Sequence, residues 1–308
     1  MARLVMRSAL AALIGALLLI TPAAAAGPTA AADPAPSAPP ISITGGPTAG
    51  GPVVRTPAEQ AFYELRSHLV SDYAKVRAGT LDRAGFAREN DAFLAQYGGL
   101  TGGEIAVVDL APLATSGTLS MSQYAQSTTT YCGPATAYEM LKYLAVSSGP
   151  GGLSLSQSHL AGQCATGFLC TDTLGNTPWY YYSGYPHPML STLNTWKTPA
   201  WYAVSSGATN YTTWLVYDID NHHPLAVAVR ELANGSTPHL VGHPTNIQID
   251  HWIAASGYQS AGASTYYADS VHGTTFWSWS GNVPALSWIS SCTGSRPHTW
   301  CNSAGGRD

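Results

Sequence analysis

The chain has 308 residues, a formal net charge of −4 and only 10 % charged residues. This length allows one domain with a substantial core, together with additional segments. The slightly acidic balance, with no basic cluster to neutralise phosphates, argues against nucleic acid as a partner. Abundant small polar residues in place of charge are typical of exported proteins and favour neutral or apolar substrates.

The N-terminal segment has the pattern of a cleavable export signal. Arg3 and Arg7 form a basic region, Ala9 to Ile20 is an apolar stretch, and Ala24 to Ala26 offer the small residues that signal peptidase accepts. We therefore expect residues 1–26 to be removed during bacterial export and the protein to be secreted and extracellular. An uncleaved anchor is the alternative, but no second long apolar run follows, so stable membrane insertion is not expected.

Composition divides the rest of the chain into three segments. Residues 27–55 are rich in Pro, Ala and Gly and have almost no large apolar side chains, which predicts a disordered linker. Residues 56–103 predict a helical hairpin that ends in a glycine-rich connection. Residues 104–308 are sufficient for one further domain.

The predicted hairpin begins with a helix-start signature, because Thr56 to Glu59 form a capping box with Pro57 at the first helical position. Apolar residues follow at helical spacing: Phe62, Leu65, Leu69 and Tyr73. A second helix is expected over about residues 81–97. The apolar stripe must be buried on the adjacent domain. The hairpin is then either an inhibitory propeptide across a cleft or structural support, and the short connection favours support.

The sequence of residues 104–308 predicts an α+β fold, with helices in the N-terminal half and an antiparallel sheet in the C-terminal half. Cys132 to Val146 has a helical apolar face, and Ser154 to Gln157 is a second capping box. Three later segments are rich in β-branched, aromatic and small apolar residues, as strands are. They are Leu225 to Arg230, Ile247 to Tyr258 and Thr265 to Ala268.

The chain has five cysteines, of which four form two close pairs. Cys164 with Cys170 and Cys292 with Cys301 would each close a short loop, and an exported protein favours disulfides. Zinc is the rival for these four, but their spacings do not match the short knuckles of structural zinc sites. Cys132 remains as the odd cysteine.

Cys132 has the features of a reactive thiol. A thiol in the first turn of a helix faces the positive end of the helix dipole, which favours the thiolate, the nucleophilic form. Gly133 would leave room for substrate beside the sulfur, and Pro134 fits a first turn because it needs no N–H there. A buried cysteine that acts as a small hydrophobic residue is the alternative.

His251 is the candidate base, because it begins an apolar run expected to form a central strand. Only folding would bring it to Cys132, as is usual for cysteine–histidine pairs. The other histidines are weaker candidates. His239 and His243 are four residues apart, but the glycine and proline that flank His243 forbid the helix that would align the two rings for metal. His272 is the possible substitute base.

Three motifs occur in order: Gln126-x-x-x-x-x-Cys132-Gly133-Pro134-Ala135, then His251-Trp252-Ile253 leading to Ser256-Gly257-Tyr258, then Tyr266-Tyr267-Ala268-Asp269. Together they resemble the bacteriocin-processing, double-glycine-leader type of cysteine peptidase, in its secreted, stand-alone branch, over about residues 120–290. The resemblance implies a papain-like fold with Cys132 as nucleophile, His251 as general base, Asp269 as orienting residue and Gln126 as oxyanion-hole donor. The chain lacks the transporter segment of leader-processing members, which leaves their substrate in doubt here.

The residues also leave alternatives open. Asp250 cannot orient its neighbour His251, because adjacent strand residues point to opposite faces. Asn282 is the rival of Asp269, since an amide replaces the acid in some papain-like triads. Gln126 could be an ordinary loop amide. The aromatic run from Phe276 to Trp279 could form a stacking surface, although core and edge packing is the simpler interpretation.

Taken together, these features predict a secreted cysteine peptidase that hydrolyses peptide bonds through an acyl-enzyme. Neither a metal nor an organic cofactor is expected, the partner is a peptide or protein substrate, and the protein is expected to be a monomer. Two alternatives remain. One is acyl transfer of the transglutaminase or cell-wall amidase type by the same residues, and the other is a secreted binding module without turnover.

Overall fold

The computed structural model describes residues 57–93, 114–162, 164–178, 187–197, 202–203, 211–233, 239–291 and 302–303. The predicted signal, the linker and the Cys292–Cys301 pair lie outside these residues, as does most of the glycine-rich connection. Within the described ranges, no helix combines the length and the apolar character needed to cross a membrane.

Six α-helices lie in the described residues: α1 Pro57–Arg77, α2 Arg83–Phe93, α3 Cys132–Tyr143, α4 Gln157–Leu160, α5 Pro188–Trp196 and α6 Tyr211–Asp220. The first two form the predicted hairpin. In α1 the expected stripe faces inward, with Leu69 and Tyr73 buried and Phe62 and Leu65 packed against the core.

Six strands form one sheet: β1 Gly117–Thr118, β2 Leu225–Glu231, β3 Ile249–Gln259, β4 Ser264–Ala268, β5 Leu286–Ser290 and β6 Asn302–Ser303. The order is β5-β4-β3-β2-β6, β1 pairs with the end of β3, and every pairing is antiparallel. The predicted mixture of helices and an antiparallel sheet is confirmed.

The centre of the core is where α3 packs across β3. The middle of β3, from Trp252 to Ala255, is almost completely buried, as a strand covered on both faces must be. A β-bulge between Ala255 and Gly257 lets β1 approach closely: a Cβ on Gly257 would lie 2.8 Å from the Gly117 carbonyl oxygen. This packing fixes β3 against α3.

The hairpin is tied to α6 by buried charge. Arg66 and Asp218 form an ion pair whose side chains are almost fully buried, and the Arg66 guanidinium lies 4.7 Å from the Trp214 ring centroid. At the end of α1, Arg77 bonds to Asp220 at 2.8 Å and to the Tyr258 hydroxyl at 3.2 Å. The contacts join the hairpin to α6 and β3.

The structure differs from the sequence expectations in local detail. Ser156, and not Ser154, caps α4 by accepting a hydrogen bond from the His159 amide, while Ser154 forms a β-bridge with Ser148. Helix α3 ends at Tyr143, three residues earlier than expected, and Ala145 has a positive φ of 58° that no helix continues through. The predicted Cys164–Cys170 disulfide is confirmed.

Candidate active site

Cys132 is the first residue of α3, as its sequence context predicts. Among the cysteines that the structure describes, it alone has a free thiol, and it is partly exposed. The N-cap residue Tyr131 makes no side-chain cap, and Pro134 occupies the first turn. The uncapped N-terminus therefore presents backbone N–H groups and the positive end of the helix dipole beside the sulfur.

The space next to Gly133 is taken by protein and not by substrate, which corrects the interpretation of this glycine. Gly133 is buried, and a Cβ on it would lie 2.1 Å from Oγ1 of Thr177. The glycine is needed because the loop at Thr177 packs directly on the first turn of α3.

His251 lies near the start of β3, and its ring is fixed by packing and by a hydrogen bond. It is opposite Val229 in the register of β2 and is 3 % exposed. Its Nε2 lies 3.0 Å from Oδ1 of Asp269, and His251 and Cys132 line the same cleft. With Nε2 engaged by the carboxylate, Nδ1 is the nitrogen left for the sulfur.

Burial and charge act in opposite directions on the titration of this pair. Burial disfavours the charged form of each group, but attraction between the two raises the pKa of His251 well above its usual range. The same attraction, with a contribution from His243, lowers the pKa of Asp269 despite its burial. An imidazolium beside Cys132 and a carboxylate behind it are the resulting charges.

Asp269 follows the last residue of β4 and is fully buried. Its Oδ1 accepts hydrogen bonds from His251 Nε2 and from the Val271 amide at 2.9 Å, so the local turn holds the carboxylate. The third sequence motif thus ends next to the histidine of the second motif. Their separation of 18 residues is closed by the antiparallel pairing of β3 with β4.

Gln126 lies in the loop before α3, 2 % exposed, and lines the cleft beside Cys132. Its Oε1 accepts a hydrogen bond from Ser270 Oγ at 3.0 Å, and its Nε2 donates to the Thr128 carbonyl at 2.8 Å. An amide nitrogen has two N–H groups, so one remains besides the bond to Thr128. The side chain is therefore held in a fixed orientation at the cleft.

A protein-family model described as the Peptidase_C39 like family matches residues 118–303, which is more than half of the chain. The chain belongs to the Peptidase_C39 like family. It is a cysteine peptidase, and therefore a hydrolase. The matched residues include Cys132, His251, Asp269 and Gln126.

Comparisons with solved structures and with curated proteins add no further assignment. A solved structure with similarity is xylellain, a cysteine protease from Xylella fastidiosa, at 13 % identity and a TM-score of 0.28, with 65 % of this chain and 89 % of xylellain covered. That score is too low to inform the fold of the peptidase. No curated protein matches the chain.

The cleft at Cys132 has about 430 Å³ of empty space, a volume that includes solvent at its open mouth. One wall is aromatic: Trp277 and Trp279 stack at 5.2 Å between ring centroids, with 15° between their planes. The opposite wall is formed by Thr129, Thr130 and Asn176. The aromatic run was expected to serve core and edge packing, but two of its rings line the cleft.

The rivals considered from the sequence are placed elsewhere. Asp250 pairs with Arg230 at 2.7 Å on the face of the sheet opposite to His251. Asn282 is exposed, and its backbone is packed against Gly242. His272 bonds through Nδ1 to the Val283 carbonyl at 2.7 Å. None of the three takes the position of His251 or Asp269 beside Cys132.

Sequence reasoning missed three buried residues that lie at the site of the peptidase. His243 Nε2 is 3.0 Å from Asp269 Oδ2, and His243 Nδ1 is 2.9 Å from Glu231 Oε2. Glu139, two turns into α3, accepts the Tyr124 amide at 2.8 Å. Burial, more than any other cause, raises the pKa of Glu139 to about 8, and Asp269 adds to the rise. The spacing of His239 and His243 was the only sequence signal for these residues, and it was considered only as a possible metal site.

His243, His251 and Asp269 also form a group with the chemistry of metal ligands, since their ligand atoms lie within 4.8 Å of one another. Direct contacts of 3.0 Å between each histidine and one carboxylate oxygen already account for the arrangement without a cation. Treatment with EDTA tests whether the three residues hold a metal ion.

Proposed function

We propose that the peptidase hydrolyses peptide bonds through an acyl-enzyme, with Cys132, His251 and Asp269 as a catalytic triad. The observation that supports it is that Cys132 and His251 line one cleft while His251 Nε2 lies 3.0 Å from Oδ1 of the buried Asp269. Cys132 is the first residue of a helix, a position where catalytic cysteines are commonly found. The order of elements, with the nucleophile on a helix and the base on the sheet, is the papain-like arrangement.

In this mechanism the Cys132 thiolate attacks the carbonyl carbon of the scissile peptide bond. His251, protonated at Nδ1, gives its proton to the leaving amine as the C–N bond breaks, and a thioester to Cys132 remains. His251 then takes a proton from water, whose oxygen attacks the thioester. The C–S bond breaks, the carboxylic acid leaves, and the thiolate–imidazolium pair is restored.

Gln126 is proposed as a side-chain donor to the oxyanion that forms in both steps. Ser270 and Thr128 hold the amide in place, and the uncapped N–H groups at the start of α3 lie beside the same sulfur. Donors that are oriented before the reaction stabilise the developing negative charge without reorganisation.

The substrate is proposed to be a peptide or protein with uncharged, apolar side chains next to the scissile bond. The cleft wall formed by Trp277 and Trp279 offers ring faces, and Ile247, Ile249 and Val271 add apolar surface. Asp250 contributes the one carboxylate residue of the lining, and its side chain is paired with Arg230 at 2.7 Å. A charged substrate side chain would be desolvated there without a partner.

The peptidase is further proposed to act outside the cell after removal of residues 1–26, as a monomer with the hairpin as structural support. The Cys164–Cys170 disulfide is compatible with an oxidising compartment. The residues of α1 and α2 are not among those that line the cleft at Cys132, and their buried contacts are with α6. A propeptide across the cleft would contact the lining residues.

Purified protein incubated with a mixture of synthetic peptides tests the proposal, with products identified by mass spectrometry. We expect new free carboxyl and amino termini from wild type, none from Cys132→Ala, and covalent labelling of Cys132 by a peptidyl aldehyde or epoxide. Peptide–amine conjugates in place of hydrolysis products would indicate acyl transfer. A folded protein that neither cleaves nor is labelled would be a binding module, and the proposal would be wrong.

A further inference from the structure

Asp269 is held from two sides by two different histidines. Its Oδ1 accepts from His251, and its Oδ2 lies 3.0 Å from Nε2 of His243. The second contact is an ion pair and not an aligned hydrogen bond, because neither atom meets the angular requirement for one. A carboxylate with one histidine on each oxygen cannot rotate without losing one of them.

His243 is in turn held by a second carboxylate. Its Nδ1 lies 2.9 Å from Oε2 of Glu231, the last residue of β2, and both side chains are completely buried. The contacts therefore run in one line from His251, which lines the cleft with Cys132, through Asp269 and His243 to Glu231. Charge alternates along this line when the two rings are protonated.

The loop that carries His243 is anchored by the two residues at positions 240 and 241. The Leu240 amide donates to Glu231 Oε1 at 2.7 Å, and the Val241 amide donates to the Tyr267 hydroxyl at 2.9 Å. The Trp279 ring packs edge-on against His243 with 4.9 Å between centroids. These contacts hold the imidazole in one orientation, with Nδ1 toward Glu231 and Nε2 toward Asp269.

A role in packing alone does not explain a glutamate and a histidine at this place. Burying a charged pair costs desolvation that apolar side chains of similar volume avoid, so such a pair adds little or nothing to stability by itself. Its position, in contact with the carboxylate that holds His251, is what distinguishes it from a filler of the core.

We propose that His243, backed by Glu231, is a positioning residue for the reaction: it holds Oδ2 of Asp269 so that Oδ1 is presented to His251. This inference rests on the triad proposed above. His243 does not touch Cys132 or the scissile bond. It acts through Asp269, by fixing the angle at which His251 faces the sulfur, and a deviation of that ring lowers the rate of proton transfer.

The charges around His243 support a protonated ring at neutral pH. Burial opposes the charge, but Asp269 and Glu231 raise the pKa of His243 to about 9. Titratable groups face this cluster from several elements. They are Glu231 on β2, His251 on β3, Tyr267 and Asp269 at the end of β4, Glu139 on α3, and His239 in the loop of His243 itself.

The first test compares two histidines that contact the same glutamate. His243→Phe keeps a ring against Trp279 but removes both nitrogens, and His243→Gln keeps one donor that can reach Asp269. His239→Phe is the matched control, because His239 Nδ1 lies 3.4 Å from Glu231 Oε2 while no contact between His239 and Asp269 is described. Peptide cleavage is measured as kcat and KM, and folding as melting temperature.

We expect His243→Phe to lower kcat at least about tenfold with KM within about twofold of wild type, and His243→Gln to restore part of the loss. His239→Phe should change kcat less than about twofold. Wild-type kcat in a folded His243→Phe protein would overturn the inference, as would equal losses in both variants. A requirement for added Zn²⁺ after EDTA treatment would overturn it too, since the cluster would then be a metal site.

The second test uses the pH profile and remains decisive if His243→Phe does not fold. Glu231→Gln keeps the shape of the side chain but removes the charge that raises the pKa of His243. As the pH rises, kcat of Glu231→Gln should begin to fall about half a pH unit or more below the pH at which wild-type kcat begins to fall. His239→Phe should leave that pH unchanged. An unmoved alkaline limb would contradict the inference.

Failure of the inference and failure of the proposed function give different results. If Cys132→Ala retains turnover, the triad itself is wrong. If Cys132→Ala abolishes turnover while His243→Phe and Glu231→Gln match wild type in kcat and pH profile, the triad stands and only the positioning role is wrong.

Discussion

Arg66 of α1 and Asp218 of α6 form an ion pair that is buried at both ends, although 152 residues separate them in the chain. The Arg66 guanidinium also lies over the rings of Trp214 and Tyr217. A charge pair in such a place can be broken only at a high cost in stability, because the remaining partner is left buried without compensation. The pair therefore makes the hairpin part of the folded domain.

Arg66→Met should lower the free energy of unfolding by about 3 to 5 kcal/mol, since Asp218 stays buried and loses the opposite charge of Arg66. Arg66→Met with Asp218→Leu should recover part of that loss. Lys75→Ala is the control, because its ion pair with Asp72 is half-exposed and is worth about 0.2 to 1 kcal/mol. Chemical denaturation measures all three. A loss for Arg66→Met no larger than that of Lys75→Ala would contradict the supporting role.

A chain that starts at residue 104 should be less stable than one that starts at residue 27, without higher activity per folded molecule. The hairpin buries Leu69, Tyr73 and Phe86, and its removal exposes the face of α6 that they cover. Active-site titration of both chains gives the activity per folded molecule. Faster cleavage by the shorter chain would instead identify the hairpin as an inhibitory propeptide.

Asp269→Ala should impair turnover less than Cys132→Ala or His251→Ala. The cysteine and histidine perform the bond making and proton transfer, and losing either should lower kcat/KM at least about 1,000-fold. The carboxylate orients the ring and stabilises its charge. Rates measured on one peptide for the three variants decide the order, and equal rates for wild type and Asp269→Ala would remove Asp269 from the proposed triad.

Gln126→Glu should lower kcat by about 100- to 1,000-fold, because it replaces an oxyanion donor with a negative charge. The substituted side chain keeps an oxygen to accept the Ser270 hydroxyl but loses the donor to the Thr128 carbonyl, so the melting temperature is measured with kcat. Gln123→Glu is the matched control, since Gln123 lies in the same loop and bonds to the His272 carbonyl. Equal kcat for both variants would make Gln126 a structural amide.

Glu139→Gln should gain stability relative to wild type as pH rises from about 5 to 9. The folded-state pKa of Glu139, raised to about 8 by burial, lies above its unfolded value of 4.5. Its contribution to stability is therefore present below pH 4.5 and is lost as the pH rises through 8. Each pKa unit corresponds to about 1.4 kcal/mol, so a difference of a few kcal/mol between the variants is expected at pH 9. Urea denaturation at pH 5 and 9 measures it, and a pH-independent difference would contradict the titration.

Local sequence signals identified the parts of the site that depend on local structure. Cys132 begins a helix because Gly133 and Pro134 are compatible with a first turn, and both the pattern and the structure place it there. Strands β2, β3 and β4 were predicted within two residues of their ends, since alternation and β-branched residues are local properties. Strand β5 was not predicted, and Trp277 and Trp279, for which core or edge packing was the simpler expectation, line the cleft.

By itself, the sequence determined that Cys132 is the odd cysteine of the chain, that Cys164 and Cys170 are close enough to pair, and that a helical segment precedes a sheet. Only the tertiary structure decided which histidines and carboxylates meet. His243 was dismissed because its neighbours forbid a helix, yet a loop anchored on Glu231 and Tyr267 brings it to Asp269. The physical reason is that strand register and loop packing set contacts between residues far apart in the chain, and no local pattern encodes either.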